Sequence, residues 1–184
     1  MRKLFLSLLF LASAMSVGAQ HRSNAIDDVL QHTPMAAVFV LKACDLDNQT
    51  SWEELALKAG ASYLMGAAVT YPLKQVIGER RPDDSDSRSF PSGHAMFSFA
   101  GATMLHHEFG HVSPWVSIGG FGVAAMVSVD RVIRDRHYLH DVCAGAAIGI
   151  LSTELTYFLK KKLFKSDHVD ISFVGNGFEL AVRW

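Results

Sequence analysis

Two apolar stretches crowded with small residues, Trp115 to Val129 and Val142 to Leu159, limit what this chain can fold into more than any other feature. Glycine, alanine and serine recur through both and let helix backbones approach closely, while Glu154 interrupts the second. Each is short of, or barely at, the roughly 20 residues that a membrane-crossing helix needs. Tight helix packing therefore follows from the sequence, whereas the surrounding solvent does not. On length and polarity the reading leans to a soluble or peripheral domain over an integral one.

The remaining pattern fits an all-α helical bundle. Helices are predicted at Asn24 to Gln31, Met35 to Lys42, His94 to about His107, Trp115 to about Val129 and His140 to about Phe164. Ser51-Trp52-Glu53-Glu54 is a capping-box start for a further long helix running to Arg80. From Val169 onward residues alternate, and Gly175-Asn176-Gly177 separates two strand-like runs. Residues 169–184 thus read as a short C-terminal β-hairpin, which must pack on the same domain because an isolated hairpin is marginal. Upstream, Arg2-Lys3, the apolar run Leu4 to Ala12 and Val17-Gly18-Ala19 have the layout of a secretory signal peptide over residues 1–19. Cleavage there leaves one helical domain over residues 20–168, periplasmic or extracytoplasmic, with peripheral or integral membrane contact left open.

Seventeen Lys and Arg against 18 Asp and Glu give no basic surface for nucleic acid. The run Lys160-Lys161-Lys162 with Lys165 is read as cations at a helix C-terminus. Cys44 and Cys143, the two cysteines present, leave open a disulfide or a buried thiol at Cys143.

Chemistry concentrates in three clusters. Lys74 and Arg81 are seven residues apart, so on one continuous helix they would share a face, and Pro82 would end that helix. Asp83-Asp84-Ser85-Asp86-Ser87 then reads as a polar loop. Pro91-Ser92-Gly93-His94 opens the next helix, where unpaired N–H groups and the positive dipole end favour an anion and Gly93 permits close backbone approach. In the third cluster His137 and Asp141 stand four apart, across one helical turn, so the carboxylate fixes the imidazole tautomer and leaves the other nitrogen free to attack. Arg131, six residues earlier, supplies a planar clamp for two phosphate oxygens.

Those clusters, Lys74-x6-Arg81-Pro82, Pro91-Ser92-Gly93-His94 and Arg131-x5-His137-x3-Asp141, resemble the three-part signature of the type 2 phosphatidic acid phosphatase (PAP2) superfamily. Bacterial acid phosphatases and vanadium haloperoxidases share that superfamily. The resemblance covers Lys74 to Gly149 and implies a PAP2-family phosphatase, a phosphoric monoester hydrolase working without metal or cofactor through a phosphohistidine. It further implies that Lys74, Arg81, Ser92, Gly93 and Arg131 bind the substrate phosphate. His137 would attack phosphorus, Asp141 would orient it, and His94 would protonate the leaving alkoxide and then activate water. Vanadate or phosphate would fill the same pocket. The substrate class stays open between a phosphorylated lipid and a small soluble phosphomonoester, and the oligomeric state is not addressed. The chain departs from the family pattern at Asp130, where Ser is usual before the arginine, which raises the alternative of an inactive phosphate-binding protein. A vanadate-dependent haloperoxidase is a second alternative.

A competing motif is His107-Glu108-Phe109-Gly110-His111, an H-E-x-x-H run that on a helix would present two zinc ligands and a glutamate base, as in a zinc metalloprotease. Gly110 and the following Val112-Ser113-Pro114 instead predict a helix ending there. His21, His32, His140 and His168 are read as exposed.

Overall fold

Apolar periodicity and capping residues set six helices among the described residues: α1 (Asn24–Leu30), α2 (Thr33–Ala43), α3 (Trp52–Ile77), α4 (Gly93–Phe109), α5 (Pro114–Ile133) and α6 (Leu139–Phe164). The computed structural model describes residues 24–46, 50–164, 169–174 and 177–182; the signal-peptide reading of residues 1–19 lies outside them. Ser51, Ser92 and Ser113 cap α3, α4 and α5, each accepting a backbone N–H of the first turn. α3 stops three residues before the predicted Arg80. Gly78 adopts the left-handed conformation at φ 60°, and its N–H closes on the Lys74 carbonyl, so a glycine C-cap ends the helix before Pro82 can.

α4 lies in the centre, its Ala95, Met96, Ala100, Ala102 and Met104 fully buried between the other helices. Met35, Val38 and Leu41 of α2, Leu55 and Ala59 of α3, and Leu105 and Phe109 close the core around Met104. α6 approaches α4 more closely than side chains would allow: a Cβ on Gly145 would stand 2.2 Å from the Ser92 carbonyl oxygen, and one on Gly149 2.3 Å from that of Met96. Two glycines four apart thus form the flat face on which the start of α4 rests.

Two segments after α6, β1 (Val169–Val174) and β2 (Gly177–Val182), run antiparallel with Val169 opposite Val182. The fold class rests on the helices alone, and the hairpin carries no weight in it. Cys44 and Cys143 are both free and exposed, so neither the disulfide nor the buried thiol describes this structure. His32 is also not the exposed residue expected. Its Nδ1 lies 3.2 Å from the Tyr63 hydroxyl, and its ring packs on Phe97.

The outer surface is apolar to an unusual degree. Trp115, Ile118, Met126, Val129 and Ile133 stand exposed on α5, and Leu151, Leu155 and Phe158 on α6. Only 22% of the apolar stretch of α5 and 33% of that of α6 is buried inside the bundle. Both helices are also longer than the apolar runs alone suggested, 20 residues for Pro114–Ile133 and 24 for the apolar part of α6, enough to cross a bilayer. A core helix of a soluble bundle hides its apolar face, and these do not. The soluble reading fits this surface poorly.

Candidate active site

Four helix ends and two loops meet at one pole of the bundle. The loop after α3 is tied to the loop after α5 by the Arg136–Asp83 ion pair at 3.1 Å and by Asp83 N–H donating to the Asp135 carbonyl at 3.0 Å. Ser92 N–H donates to the Asp141 carbonyl at 2.9 Å, joining the start of α4 to the start of α6. The three sequence clusters are thereby brought together.

His137 is buried in the turn before α6, with Nδ1 3.4 Å from Asp141 Oδ2. Asp141 is fully buried, and the same Oδ2 accepts from Tyr138 N–H at 2.8 Å, the reciprocal half of a capping box. It also accepts from Ser89 Oγ at 2.5 Å, and Ser89 Oγ lies 3.5 Å from His137 Nδ1. Both contacts of the imidazole use Nδ1, so Nε2 is the nitrogen left to react. Burial, and then the positive charges of Lys74, Arg81 and Arg131, hold the imidazole's pKa far below its ordinary value. It is neutral at neutral pH, the form a nucleophile requires.

The cations are held by different means than the sequence predicted. Lys74 is on α3 and donates to the Arg88 carbonyl at 2.8 Å; burial, then repulsion from Arg81, lowers its pKa to about 8. Arg81 lies beyond the helix, so the shared-face argument fails. It reaches the site because its Nε donates to Asp86 Oδ1 at 2.8 Å and its NH1 to the Arg136 carbonyl at 3.3 Å. Arg131, in the last turn of α5, is buried, with NH1 2.8 Å from Asp27 Oδ2 and Nε without a partner. A buried guanidinium nitrogen with no protein acceptor is a donor able to take an anion. Asp130 does not disturb it: its carboxylate turns to Arg134, 3.6 Å away.

At the start of α4, the Ser92 hydroxyl accepts the Ala95 N–H as cap, leaving its own proton to donate. In front of Gly93 is open space, since a Cβ there would meet nothing within 4 Å. His94 projects from the first turn with Nε2 3.0 Å from Asp28 Oδ1. Burial and then Arg131 bring its pKa down to about 4, against the opposing pull of Asp28.

Sequence reasoning missed Ser89, Asp27 and Asp28. Ser89 follows an ordinary polar loop, and the aspartates lie more than a hundred residues before Arg131, so no spacing marked them. His140 is exposed as expected, yet its Nε2 is 2.9 Å from Glu79 Oε1 and 3.1 Å from Asp141 Oδ1, and its ring stacks on Phe90 and Tyr138. Of the apolar residues near the second cluster, Met96 is core and Phe97 packs on Tyr63; Phe90 alone borders the site.

The H-E-x-x-H run does not form a zinc site. α4 ends at Phe109, so His111 falls outside the helix. Glu108 is buried and consumed, accepting from Lys58 Nζ at 2.8 Å, Thr50 Oγ1 at 2.7 Å and the Tyr157 hydroxyl, while His107 pairs with Glu154 at 3.0 Å. Among the described residues the three-ligand grouping is elsewhere, at Glu79, His140 and Asp141.

A helical bundle whose pole gathers an oriented imidazole, a second histidine and several fixed cations defines a class of oxyanion-handling proteins. Residues 55–165 match the PAP2 superfamily. The chain is 33% identical over 149 residues to a Lipid A 1-phosphatase of Porphyromonas gingivalis, covering 80% of this chain and 34% of that protein. It is 32% identical over 106 residues to a PA-phosphatase related-family protein of Dictyostelium discoideum, covering 51% of this chain and 37% of that protein. The chain thus spans about a third of the length of these relatives. In fold it is similar to LpxE of Aquifex aeolicus, with TM-score 0.56 and 19% identity over 85% of this chain and 93% of that one. A transmembrane PAP2 type phosphatidylglycerolphosphate phosphatase of Bacillus subtilis gives TM-score 0.55 and 24% identity, over 88% and 96%. The chain belongs to the PAP2 superfamily.

Proposed function

We propose that this protein is a membrane-embedded lipid phosphatase that cleaves a phosphomonoester through a phosphohistidine, without a metal. The observation that carries the reading is His137: a buried, neutral imidazole oriented through Nδ1 by Asp141, in the field of Lys74, Arg81 and Arg131. In the first step His137 Nε2 attacks phosphorus, the P–O bond to the leaving group breaks, and the protonated form of His94, the minor form at neutral pH, gives that oxygen its proton. In the second, water attacks phosphorus, His94 takes the water's proton, the P–N bond breaks, and inorganic phosphate leaves. Lys74, Arg81, Arg131, the Ser92 hydroxyl and the backbone at Gly93 stabilise the charge on the phosphoryl oxygens.

A lipid is the favoured substrate. An apolar groove lined by Phe99, Val129, Val132, Ile133, Leu139 and Val142 runs between α5 and α6, beside Arg131 and Asp141 in sequence. That groove and the exposed apolar faces of α5 and α6 suit acyl chains more than a soluble sugar or nucleotide. In this reading α5 and α6 cross the bilayer and the site opens at the extracytoplasmic face, with residues 20–168 as the domain, residues 1–19 as a signal and residues 169–184 as a hairpin on the same unit.

The test is phosphate release from a short-chain phosphatidic acid and from p-nitrophenyl phosphate, with EDTA present, by the protein and its His137→Ala variant. EDTA-resistant release that falls roughly a thousandfold or more in the variant is expected, with the lipid preferred. Release abolished by EDTA, or kept by the variant, would refute the mechanism. Vanadate-dependent bromide oxidation would point to the haloperoxidase branch instead.

A further inference from the structure

We infer that α1 belongs to the reaction site: its consecutive carboxylates, Asp27 and Asp28, are positioning residues that hold Arg131 and His94 ready for the phosphate. The inference rests on the phosphatase reading.

Asp27 is 3% exposed, and its Oδ2 accepts from NH1 of Arg131 at 2.8 Å and from NH1 of Arg134. It takes one nitrogen of the Arg131 fork and leaves the buried Nε–H with no acceptor, so the pairing fixes the guanidinium without using it up. Its other oxygen, Oδ1, is buried with no protein partner, so this carboxylate is committed to the two arginines through Oδ2 alone. Asp28 does for His94 what Asp141 does for His137. Its Oδ1 is 3.0 Å from Nε2, which leaves Nδ1 as the nitrogen not engaged by Asp28 and favours the proton-carrying form.

The corner after α1 is also tied to the bundle by contacts other than these ion pairs. Gln31 Nε2 donates to the Asp28 carbonyl at 2.8 Å, and Ser98 Oγ of α4 donates to the Gln31 carbonyl at 3.2 Å. His32 is held by Tyr63 and Phe97, so the corner after α1 is pinned to α3 and α4 before any substrate arrives. An opposite arrangement would have the carboxylates stand where the phosphate goes, as a plug. The two differ in sign when a carboxylate is removed.

The experiment uses the full chain in detergent micelles with phosphatidic acid and EDTA, comparing the wild type with Asp27→Asn, Asp28→Asn and Asp28→Glu. Orthovanadate serves as the phosphate probe, and thermal unfolding checks that each variant is folded. Expected for Asp27→Asn are a KM and a vanadate inhibition constant raised about tenfold or more, since a charge-assisted contact that aims the clamp is lost. Expected for Asp28→Asn are a kcat lowered about tenfold with KM little changed, and partial recovery in Asp28→Glu. The charged groups facing His94 are Asp28 and Asp27 of α1 and Arg131 of α5. Loss of the Asp28 charge therefore moves the alkaline limb of the kcat profile to lower pH.

Vanadate inhibition unchanged or tighter in Asp27→Asn would overturn the inference, the tighter case pointing to a plug. So would an Asp28→Asn variant with unaltered kcat and pH limb, and this pair decides alone if Asp27→Asn does not fold. A wild type with no release dependent on His137 would instead overturn the phosphatase reading, and this inference with it.

Discussion

Ser89 makes the shortest contact to the carboxylate that faces the proposed nucleophile, and nothing in the sequence announces it. Its hydroxyl donates to the Asp141 oxygen that also faces His137, so removing it leaves Tyr138 N–H as the remaining backbone donor to that oxygen. A hydrogen bond to a buried carboxylate contributes about 1.5–3 kcal/mol. Ser89→Ala is accordingly expected to lower kcat by roughly 10- to 100-fold with KM little altered, checked by steady-state kinetics. Histidine protonation gives a second expectation at this scale. His94 and His137 have pKa values held below the ordinary 6.5 of the unfolded chain by burial and neighbouring cations. The unfolded state takes up protons first as pH falls, so these two sites cost nothing above about pH 6.5 and destabilise increasingly below it, toward the folded pKa of about 4 for His94. The melting temperature should decline over that window, and orthovanadate, bound at the proposed phosphate site of the folded form, should offset part of the decline. A shallower decline in a His94→Gln variant than in the wild type would assign His94 its share, His137 accounting for what remains.

At the scale of elements, what the sequence disclosed and what it hid have separate physical causes. Serine caps and apolar periodicity are local, so α1, α2, α4 and α6 came within a few residues of prediction. The predicted α3 is too long because Pro82 reads as the stop, whereas Gly78 already supplies a left-handed cap. The motif residues were legible because phosphate chemistry demands particular side chains. Their supports were not, since Asp27, Asp28 and Ser89 reach the site through tertiary packing that leaves no spacing to read. Glycines on α6 show how packing enters the chemistry. A methyl group on Gly145 would meet the Ser92 carbonyl at 2.2 Å and force α6 from the first turn of α4, where Ser92, Gly93 and His94 stand. Gly145→Ala is expected to cost about 1–3 kcal/mol, read as a lower melting temperature, and to reduce activity because the site's two halves separate. Gly60 of α3 is the contrast, with nothing within 4 Å of a new methyl. Gly60→Ala should raise stability by about 0.5–1 kcal/mol from helix propensity alone.

For the whole molecule the decisive quantity is where its apolar surface points. Length and polarity together argue against membrane helices in the sequence, and the length argument gives way because the apolar run ends near Val129 while α5 continues through Asp130 and Arg131 to Ile133. The bundle shows why the helix continues: its last turn delivers Arg131 inward to the site, while Val129 and Ile133 remain outside. In the proposed reading, charges that look like the end of a span are instead the start of the chemistry, at the depth where a span would meet the headgroups. Leu155 on α6 tests this arrangement, being 46% exposed and remote in sequence from the motif residues. On a soluble bundle Leu155→Arg at such a surface position would change stability by less than about 0.5 kcal/mol and would aid solubility. In a bilayer the same arginine costs about 2.5–3.5 kcal/mol near the centre of a span. The wild type is expected in the membrane pellet after an alkaline carbonate wash, with Leu155→Arg much reduced there. Wild type and variant both released by the wash at equal yield would return the protein to the soluble class and turn the apolar faces of α5 and α6 into a surface for another protein.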